Sequence, residues 1–388
     1  MKKILVVDDS ALMRRVMFDI INADGNLRAE NYATNGLEAL ELLSSGEKFD
    51  AIVLDINMPK MNGLDFLREL RTRRMQEKVL IVSTLAKEGA IETIQALELG
   101  AFDFVTKPDS LAEAKGPGFG ARLVEMLYLA TGISQGISKN TDGQQGTASA
   151  KTAARPGAGK KTPNVETPAA PKSLARPARA TGSMVPHSKK PVGSGAKKLV
   201  ALACSTGGPK ALQYVIPFLP KNLDAPVLLV QHMPAGFTAS LAKRLDELSQ
   251  ITVKEAAHGE VLEQGTVYIA KGGSQMRLIE KGRQEHTLSV TVEAARNGLK
   301  PCADIMYESL MKSSFDEITC VVMTGMGADG TKGILQLEQT NKIYVIAQDE
   351  PTCTVYGMPK AVAESGAVDE VVSLKKIADA ITEHVGVR

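Results

Sequence analysis

The chain has 388 residues, of which 44% are hydrophobic and 23% charged, with a formal net charge of +2. Its length exceeds what a single hydrophobic core usually supports, so at least two domains are expected. The four cysteines form no CxxC pair, which argues against a disulfide framework or a structural zinc site. A net charge so close to zero neither favours nor excludes binding of nucleic acid.

The start of the chain, MKKILVVDDS, has an apolar run too short for the core of a signal peptide. No apolar run in the sequence approaches the roughly 20 residues that span a bilayer. We therefore expect a cytoplasmic protein with no segment inserted in a membrane.

Short apolar runs alternate with amphipathic stretches over residues 1–125. The runs predict buried parallel strands, and the stretches between them show the 3.6-residue period of helices. Five successive strand–helix units predict a doubly wound, flavodoxin-like α/β sheet, in which ligands bind beyond the carboxyl ends of the strands. The five predicted strands are KILVV, LRAENYA, AIVL, VLIVS and FDFVT.

Polar side chains stand at the ends of four of these strands. Asp8 and Asp9 follow the first strand and Asp55 ends the third, so three carboxylates should meet at one edge, where Mg²⁺ would relieve their repulsion. Ser83 ends the fourth strand and Lys107 the fifth, and a hydroxyl and an ammonium group there suit a phosphoryl group. Asp55 is then the candidate nucleophile. One such aspartate alone is more typical of a helix cap, but the combination favours a phosphorylation site.

The segments ILVVDDS, IVLDINMPKMNGLDFL and GAFDFVTKP resemble the receiver domain of two-component response regulators, over residues 1 to about 125. The resemblance implies a phosphoprotein that uses Mg²⁺ in this domain. The roles it implies are Asp55 as phosphoacceptor, Asp8 and Asp9 as metal ligands with Asp55, Ser83 and Lys107 as phosphate contacts, Phe104 as switch aromatic, and Thr84 as a second switch position and the alternative to Ser83 as the hydroxyl.

Composition changes over residues 132–197, where Ala, Gly, Pro, Ser, Thr and Lys dominate and 11 Lys or Arg residues stand against 2 acidic ones. Such a segment cannot bury enough apolar surface to offset its conformational entropy, so we predict a disordered basic linker. The charge is typical of a solvated spacer, and weak attraction to an acidic partner is the alternative.

Strand and helix patterns resume over residues 198–388 and predict a second doubly wound α/β domain. Its sheet should be mostly parallel, with a short antiparallel part formed by MRLIEK and TLSVTVE. Most response regulators carry a DNA-binding module here, but this region shows no helix-turn-helix pattern and no basic helix, so an enzyme is favoured over a transcription factor. The predicted parallel strands are KLVALA, APVLLV, TVYIA, ITCVVM, KIYVIA and DEVVSL.

Three strand ends of the second domain carry reactive side chains. Ser205 leaves its strand in ALACSTGGPKAL, His232 follows in LLVQHMPAGFT, and Asp329 follows in VVMTGMGADG. Together they suit acyl transfer, in which the histidine takes the serine proton and the carboxylate orients the histidine. Singly, the serine is also typical of a helix cap or a phosphate-binding turn, and the histidine of a structural group.

The third of these segments, VVMTGMGADG, could instead belong to a dinucleotide-binding site. Gly325, Gly327 and Gly330 match the GxGxxG pattern of dinucleotide-binding turns, and Asp349 lies about 20 residues further on. We disfavour this interpretation because the motif lies late in the domain and Asp329 would bring a carboxylate towards a pyrophosphate.

The segments STGGP, VQHMPAGFT, GTVYIAKGG, VVMTGMGADG and AQDEPTCTVYGMPKAVAESGAVDEVVSL are similar to the chemotaxis protein-glutamate methylesterase family. The similarity extends over nearly all of residues 198–388, and a receiver in front of this domain matches the family's domain order. It implies Ser205 as nucleophile, His232 as general base, Asp329 as the residue that orients it, and backbone N–H groups at Thr206 and Met326 as oxyanion donors.

The resemblance also implies an activity and partners. Members of this family remove methyl groups from glutamate γ-methyl esters on membrane-bound chemoreceptors and deamidate receptor glutamines, without a cofactor. The phosphoryl donor would be the chemotaxis histidine kinase, nucleic acid would not be a partner, and the unphosphorylated receiver would cover the cleft. Cys204 and KPCADIMYES depart from the family's pattern beside the site, which leaves substrate preference open. A receiver-controlled adaptor with an inactive esterase-like domain is the alternative.

Overall fold

The computed structural model describes residues 1–84, 86–108, 110, 113, 116–133, 196–281 and 285–388. Most of the predicted linker, residues 134–195, lies outside these ranges. None of the helices in the described ranges is both long enough and apolar enough to cross a membrane.

The first domain alternates strands and helices. Its elements are, in chain order, β1 (Lys2–Val7), α1 (Ala11–Asn22), β2 (Leu27–Ala33), α2 (Gly36–Ser44), β3 (Ala51–Asp55), α3 (Gly63–Thr72), β4 (Val79–Ser83), α4 (Lys87–Leu99), β5 (Asp103–Thr106) and α5 (Pro117–Thr131).

These strands form one parallel sheet in the order β2-β1-β3-β4-β5, which confirms the predicted receiver architecture. Every residue of β3 is buried, as expected for a strand covered on both faces. The order reverses at β1, so the carboxyl ends of β1 and β3 lie side by side where such a fold binds its ligands.

Helix α5 extends this domain beyond residue 125, where the sequence suggested a boundary. Leu123, Met126 and Leu127 are fully buried in the core formed with β1 and α1. The helix ends at Gly132, whose φ of 71° is the left-handed conformation common after the last turn of a helix. The receiver therefore ends close to the point where the basic segment begins.

The second domain follows the same alternation. Its elements are β6 (Lys198–Cys204), α6 (Gly208–Leu212), β7 (Val227–Gln231), α7 (Phe237–Leu248), β8 (Thr252–Glu255), β9 (Thr266–Ile269), β10 (Gln275–Lys281), β11 (Glu285–Thr291), α8 (Ala303–Ser309), β12 (Glu317–Val322), α9 (Thr331–Leu337), β13 (Ile343–Gln348), α10 (Met358–Ser365), β14 (Glu370–Val372) and α11 (Ile377–Val385).

Within the described residues, the main sheet of this domain is fully parallel, in the order β14-β13-β12-β6-β7-β9-β8. The predicted antiparallel part is a separate two-stranded hairpin of β10 and β11. Strand β8 was not predicted, because its four residues lie at the sheet edge and alternate only weakly between exposed and buried. The order reverses around β6, which places the carboxyl ends of β12, β6 and β7 at the predicted crevice.

Candidate active site and phosphorylation site

Ser205 and His232 lie side by side at the carboxyl edge of the second sheet. The register of β6 and β7 pairs Cys204 with Gln231, and the predicted catalytic residues follow these two directly. Ser205 and His232 line one small cavity of about 110 Å³. The convergence of these strand ends is what the sequence pattern predicted.

His232 is paired with Asp329, which lies in the loop after β12. The His232 Nε2 atom is 2.7 Å from Asp329 Oδ2, and the side chains are only 9% and 5% exposed. This pairing leaves Nδ1 as the ring nitrogen that can take a proton from Ser205. Among the described residues, the Ser205 hydroxyl makes no hydrogen bond to the ring, and catalytic hydrogen bonds of this kind often tighten only in the complex with substrate.

The Asp329 carboxylate is also held from the start of α8. The Ala303 and Asp304 N–H groups donate to it at 2.6 and 3.0 Å, and the Cys302 thiol donates at 3.1 Å. Burial raises the pKa of this carboxyl, but the hydrogen bond and charge of His232, together with the two N–H groups, outweigh burial and lower the pKa to about 2. Asp329 is therefore ionised at any neutral pH, as a residue that stabilises an imidazolium must be.

The glycines around the site serve close backbone packing. A side chain on Gly325 would meet the Ser205 Cβ atom at 2.8 Å, so glycine is needed where the loop passes the nucleophile. Gly207 has a φ of 76° and also lies against Thr354. The segment that matches GxGxxG thus packs against Ser205, and its carboxylate, Asp329, contacts His232.

The two predicted oxyanion positions flank the nucleophile. Thr206 is buried directly after Ser205, and Met326 is half-buried directly after Gly325. Their roles remain predictions. Two residues after Ser205, the Gly207 N–H group is a further backbone donor of the same turn, and it already has a partner from the receiver.

That partner is Asp103, the first residue of β5. Gly207 N–H donates to Asp103 Oδ2 at 3.2 Å, and the Asp103 side chain lines the Ser205 cavity together with Phe104 and Arg122 of the receiver. Burial raises the pKa of Asp103 to about 6, although hydrogen bonds from the Phe104 and Gly207 N–H groups and the positive charge of Arg122 act to lower it. The receiver therefore covers the candidate active site and places a carboxyl group in it.

Two further contacts hold the receiver over this site. Phe104, the predicted switch aromatic, stacks on Phe237 with ring centroids 4.7 Å apart, and Phe237 begins α7 shortly after His232. Glu98 on α4 accepts two hydrogen bonds from Arg244 on α7, at 2.6 and 3.1 Å. The predicted switch residue of one domain thus contacts the helix that follows His232 in the other.

The predicted phosphorylation site lies at the carboxyl ends of β1 and β3. Ligand oxygens of Asp8, Asp9 and Asp55 all lie within 4.8 Å of one another. The Lys107 ammonium is 2.9 Å from Asp8 Oδ2 and 2.8 Å from Asp55 Oδ2. Crowded carboxylate oxygens are the donor set that Mg²⁺ prefers, so these residues fit the ion. Burial raises the pKa of Asp55 even though Lys107 opposes the shift.

Both candidate hydroxyl groups stand at the end of β4, in different surroundings. Ser83 is buried and its hydroxyl donates to the Gly89 carbonyl at 3.2 Å. Thr84 is exposed. The choice between them as phosphate contact stays a prediction.

Comparison with known proteins decides the family. A CheB methylesterase family model matches residues 200–381, and a response regulator receiver model matches residues 4–115. The chain is 38% identical to a protein-glutamate methylesterase/protein-glutamine glutaminase of Syntrophomonas wolfei, over 98% of both chains. It is also 38% identical to the protein of that name from Bacillus subtilis, over 99% of both chains.

The chain belongs to the protein-glutamate methylesterase/protein-glutamine glutaminase family. A crystal structure of the Thermotoga maritima CheB methylesterase catalytic domain is 41% identical, with 48% of this chain and 98% of that chain covered and a TM-score of 0.47. In this methylesterase-family chain, the match to the receiver model precedes the match to the methylesterase model along the sequence.

Sequence reasoning missed several residues that shape this methylesterase site. Gln231 donates to the Ser205 and His232 carbonyls at 3.1 and 3.2 Å and thereby ties two strand ends together. Gln275 accepts from Cys302 N–H at 2.9 Å and fixes the segment that holds the Asp329 carboxylate. A buried glutamine at the end of a strand is a usable signal, whereas backbone donors carry no sequence signature.

Proposed function

We propose that this protein is a cytoplasmic enzyme that hydrolyses glutamate γ-methyl esters on chemoreceptors and deamidates receptor glutamines, under control of its receiver. Ser205 is the nucleophile, His232 the general base, and Asp329 the carboxylate that orients the base. No cofactor is needed for this hydrolysis, and nucleic acid is not a partner. The substrate receptors are membrane proteins, which the enzyme approaches from the aqueous side.

The observation that carries this proposal is the pairing of His232 with an ionised Asp329 beside Ser205. The 2.7 Å contact fixes the ring with Nε2 towards the carboxylate, and serine and histidine line one cavity. A serine is a weak nucleophile unless an adjacent base removes its proton. The whole-chain similarity to relatives named as methylesterases supports the same assignment.

The first half of the reaction forms an acyl-enzyme. The Ser205 oxygen attacks the ester carbonyl while His232 Nδ1 takes the hydroxyl proton, and Asp329 stabilises the imidazolium that results. Backbone N–H groups at Thr206 and Met326 would stabilise the negative oxygen of the tetrahedral intermediate. The C–O bond to the methoxy group then breaks, and His232 returns the proton to release methanol.

The second half regenerates the enzyme. His232 takes a proton from water, the hydroxide attacks the acyl carbonyl, and the bond to the Ser205 oxygen breaks as His232 reprotonates that oxygen. The product is a glutamate γ-carboxylate. A glutamine side chain follows the same course and releases ammonia in place of methanol.

Phosphorylation of Asp55 by the chemotaxis histidine kinase would control this activity. Asp8, Asp9 and Asp55 would hold a Mg²⁺ ion, which neutralises charge on the phosphoryl donor. Lys107 already contacts Asp55 and would meet the phosphoryl oxygens, with Ser83 or Thr84 as the hydroxyl contact. Displacement of Phe104 would then loosen the cover over Ser205.

Methanol release from methylated receptor membranes tests the catalytic assignment. We expect release by the wild-type protein and its loss in Ser205→Ala, because His232, the proposed base, acts on the Ser205 hydroxyl. Ser249→Ala is the matched control, since that hydroxyl donates to the Leu245 carbonyl of the preceding helix α7. Equal release by wild type and Ser205→Ala would mean that the domain acts by another route or as an adaptor.

A further inference from the structure

The cavity beside Ser205 contains a carboxyl group that belongs to the other domain. Asp103 of the receiver is 5% exposed, and its Oδ2 atom accepts from the Gly207 N–H group at 3.2 Å. Its own strand contributes a second contact, from Phe104 N–H to Oδ1 at 2.8 Å. One carboxylate oxygen is thus committed to the receiver and the other to the turn that follows the nucleophile.

The reaction proposed above ends with a carboxyl group in this place. Hydrolysis of a glutamate ester or amide leaves a side-chain carboxylate next to Ser205, where the carbonyl oxygen faces the backbone donors of the nucleophile turn. Asp103 has the same functional group on a side chain one methylene shorter, and it presents that group to a donor of the same turn.

We infer that Asp103 is a built-in mimic of the reaction product, whose carboxyl group closes the active site by occupying the Gly207 N–H group that the substrate carbonyl uses. This inference rests on the proposed hydrolase function. It assigns a specific blocking residue to the closed state and adds Gly207 to the backbone donors around the nucleophile.

The turn that receives Asp103 is held rigidly. Gly208 N–H donates to the Ser205 carbonyl at 2.7 Å, and Gly207 has a φ of 76° against the Thr354 side chain. Both contacts are made within the catalytic domain and favour a fixed direction of the Gly207 N–H bond, which a donor for a reacting oxygen requires. Arg122 and His232 are the other charged or titratable groups at the cavity, and the Arg122 charge favours an ionised Asp103.

Shortening Asp103 tests the inference on the full chain without phosphorylation. The readout is the rate at which a fluorophosphonate reagent labels Ser205, with Ser205→Ala as the unlabelled blank. We expect Asp103→Ala to label about 10–100 times faster than wild type, since a hydrogen bond to a charged group is lost between the domains. Asp103→Asn keeps the size of the side chain and one of the two acceptor oxygens, so it should label more slowly than Asp103→Ala.

Two controls make the result specific. Glu98→Gln weakens docking away from the cavity, and we expect it to raise labelling by less than about fivefold, because it keeps an acceptor oxygen and the ion pair is only partly buried. Thermal unfolding checks that each variant is folded, and Asp103→Ser replaces Asp103→Ala if the latter unfolds. Equal labelling of wild type and the shortened variants, or equal gains in Asp103→Ala and Glu98→Gln, would overturn the inference.

Methanol release measured on the same proteins separates the two proposals. If no variant releases methanol in a Ser205-dependent manner, the hydrolase assignment fails whatever the labelling rates are. If release depends on Ser205 but Asp103→Ala leaves both rates unchanged, the assignment stands and the product-mimic inference fails.

Discussion

The orientation of one imidazole ring shapes the chemistry of this site. His232 turns Nε2 towards Asp329, so the proposed proton transfer with Ser205 would use Nδ1. In the serine-protease arrangement the two nitrogens have the opposite roles. Either arrangement works, because what matters is that the carboxylate fixes the tautomer and that the free nitrogen faces the hydroxyl.

Replacement of Asp329 by asparagine should show whether this residue orients His232 for catalysis or contributes to substrate binding. We expect Asp329→Asn to lower kcat by about 10³–10⁴-fold with little change in KM, because the amide favours the wrong tautomer and no longer stabilises the imidazolium. Steady-state methanol release measures both constants. Asp379→Asn is the control, since that side chain is 67% exposed in an ion pair on α11. A KM effect without a kcat effect would contradict the proposed role.

The cysteines should be unreactive in the folded protein. Burial raises the pKa of Cys204 strongly and the pKa values of Cys302 and Cys353 to about 12, while a thiol must ionise to react with alkylating agents. We expect iodoacetamide at pH 8 to leave these three thiols unmodified in the native protein and to modify them in urea, as read by mass spectrometry. Rapid native alkylation of Cys302 would show that it does not donate its proton to Asp329.

Some of these residues could be predicted and some could not, for physical reasons. Ser205 and His232 each follow a parallel strand directly, and strand ends converge at one edge, so the sequence pattern places them together. The Ala303 and Asp304 N–H groups have no such signature, because every residue carries the same backbone donor. Asp103 was missed because its partner lies in another domain, and no periodicity within one domain encodes that contact.

At the scale of elements, α4 of the receiver docks on α7 of the catalytic domain. Glu98 is 19% exposed and Arg244 37%, and Arg244 also contacts Glu247 on its own helix. The fold predicted from the sequence includes both helices, since each shows a clear apolar face. The docking of α4 on α7 depends on opposite charges, Glu98 on one helix and Arg244 on the other. In the sequence, each of these residues is typical of an ordinary solvent-exposed helix face.

A charge-reversal cycle tests this docking. We expect Glu98→Arg and Arg244→Glu each to raise Ser205 labelling in the unphosphorylated protein, and the double variant to return towards wild type, with a coupling of about 1 kcal/mol or less. Arg15→Glu is the control, because its ion pair with Asp19 lies on α1 and is largely exposed. Strictly additive effects in the double variant would show that the two side chains do not interact when the protein is closed.

At the scale of the whole molecule, closure should depend on pH through Asp103. Its pKa is about 6 in the closed protein against an ordinary 3.8, so the closed state binds a proton more tightly than an opened one. Closure is favoured most below about pH 4 and becomes less favourable as pH rises to about 6, by at most about 3 kcal/mol. The receiver is thus held least firmly at neutral pH.

Small-angle scattering of the full chain measures this effect. We expect the radius of gyration of the wild-type protein to increase between pH 5 and pH 7.5, and that of Asp103→Asn to change less, because the amide does not titrate in this range. Other groups titrate in both proteins, so the difference between the two curves is the quantity that matters. Identical curves would show that Asp103 does not couple closure to proton binding.

Because Asp103 and Ser205 belong to the same chain, the strength of the inferred block by Asp103 depends on the effective concentration of its carboxyl group at the cavity. A free carboxylate must reach the cavity by diffusion at its bulk concentration, whereas a tethered one returns in a first-order step at a local concentration set by the connecting segment. Dilution of the enzyme cannot weaken such a block. On the proposed function, the esterase would stay active after a signal for as long as the phosphoryl group remains on Asp55.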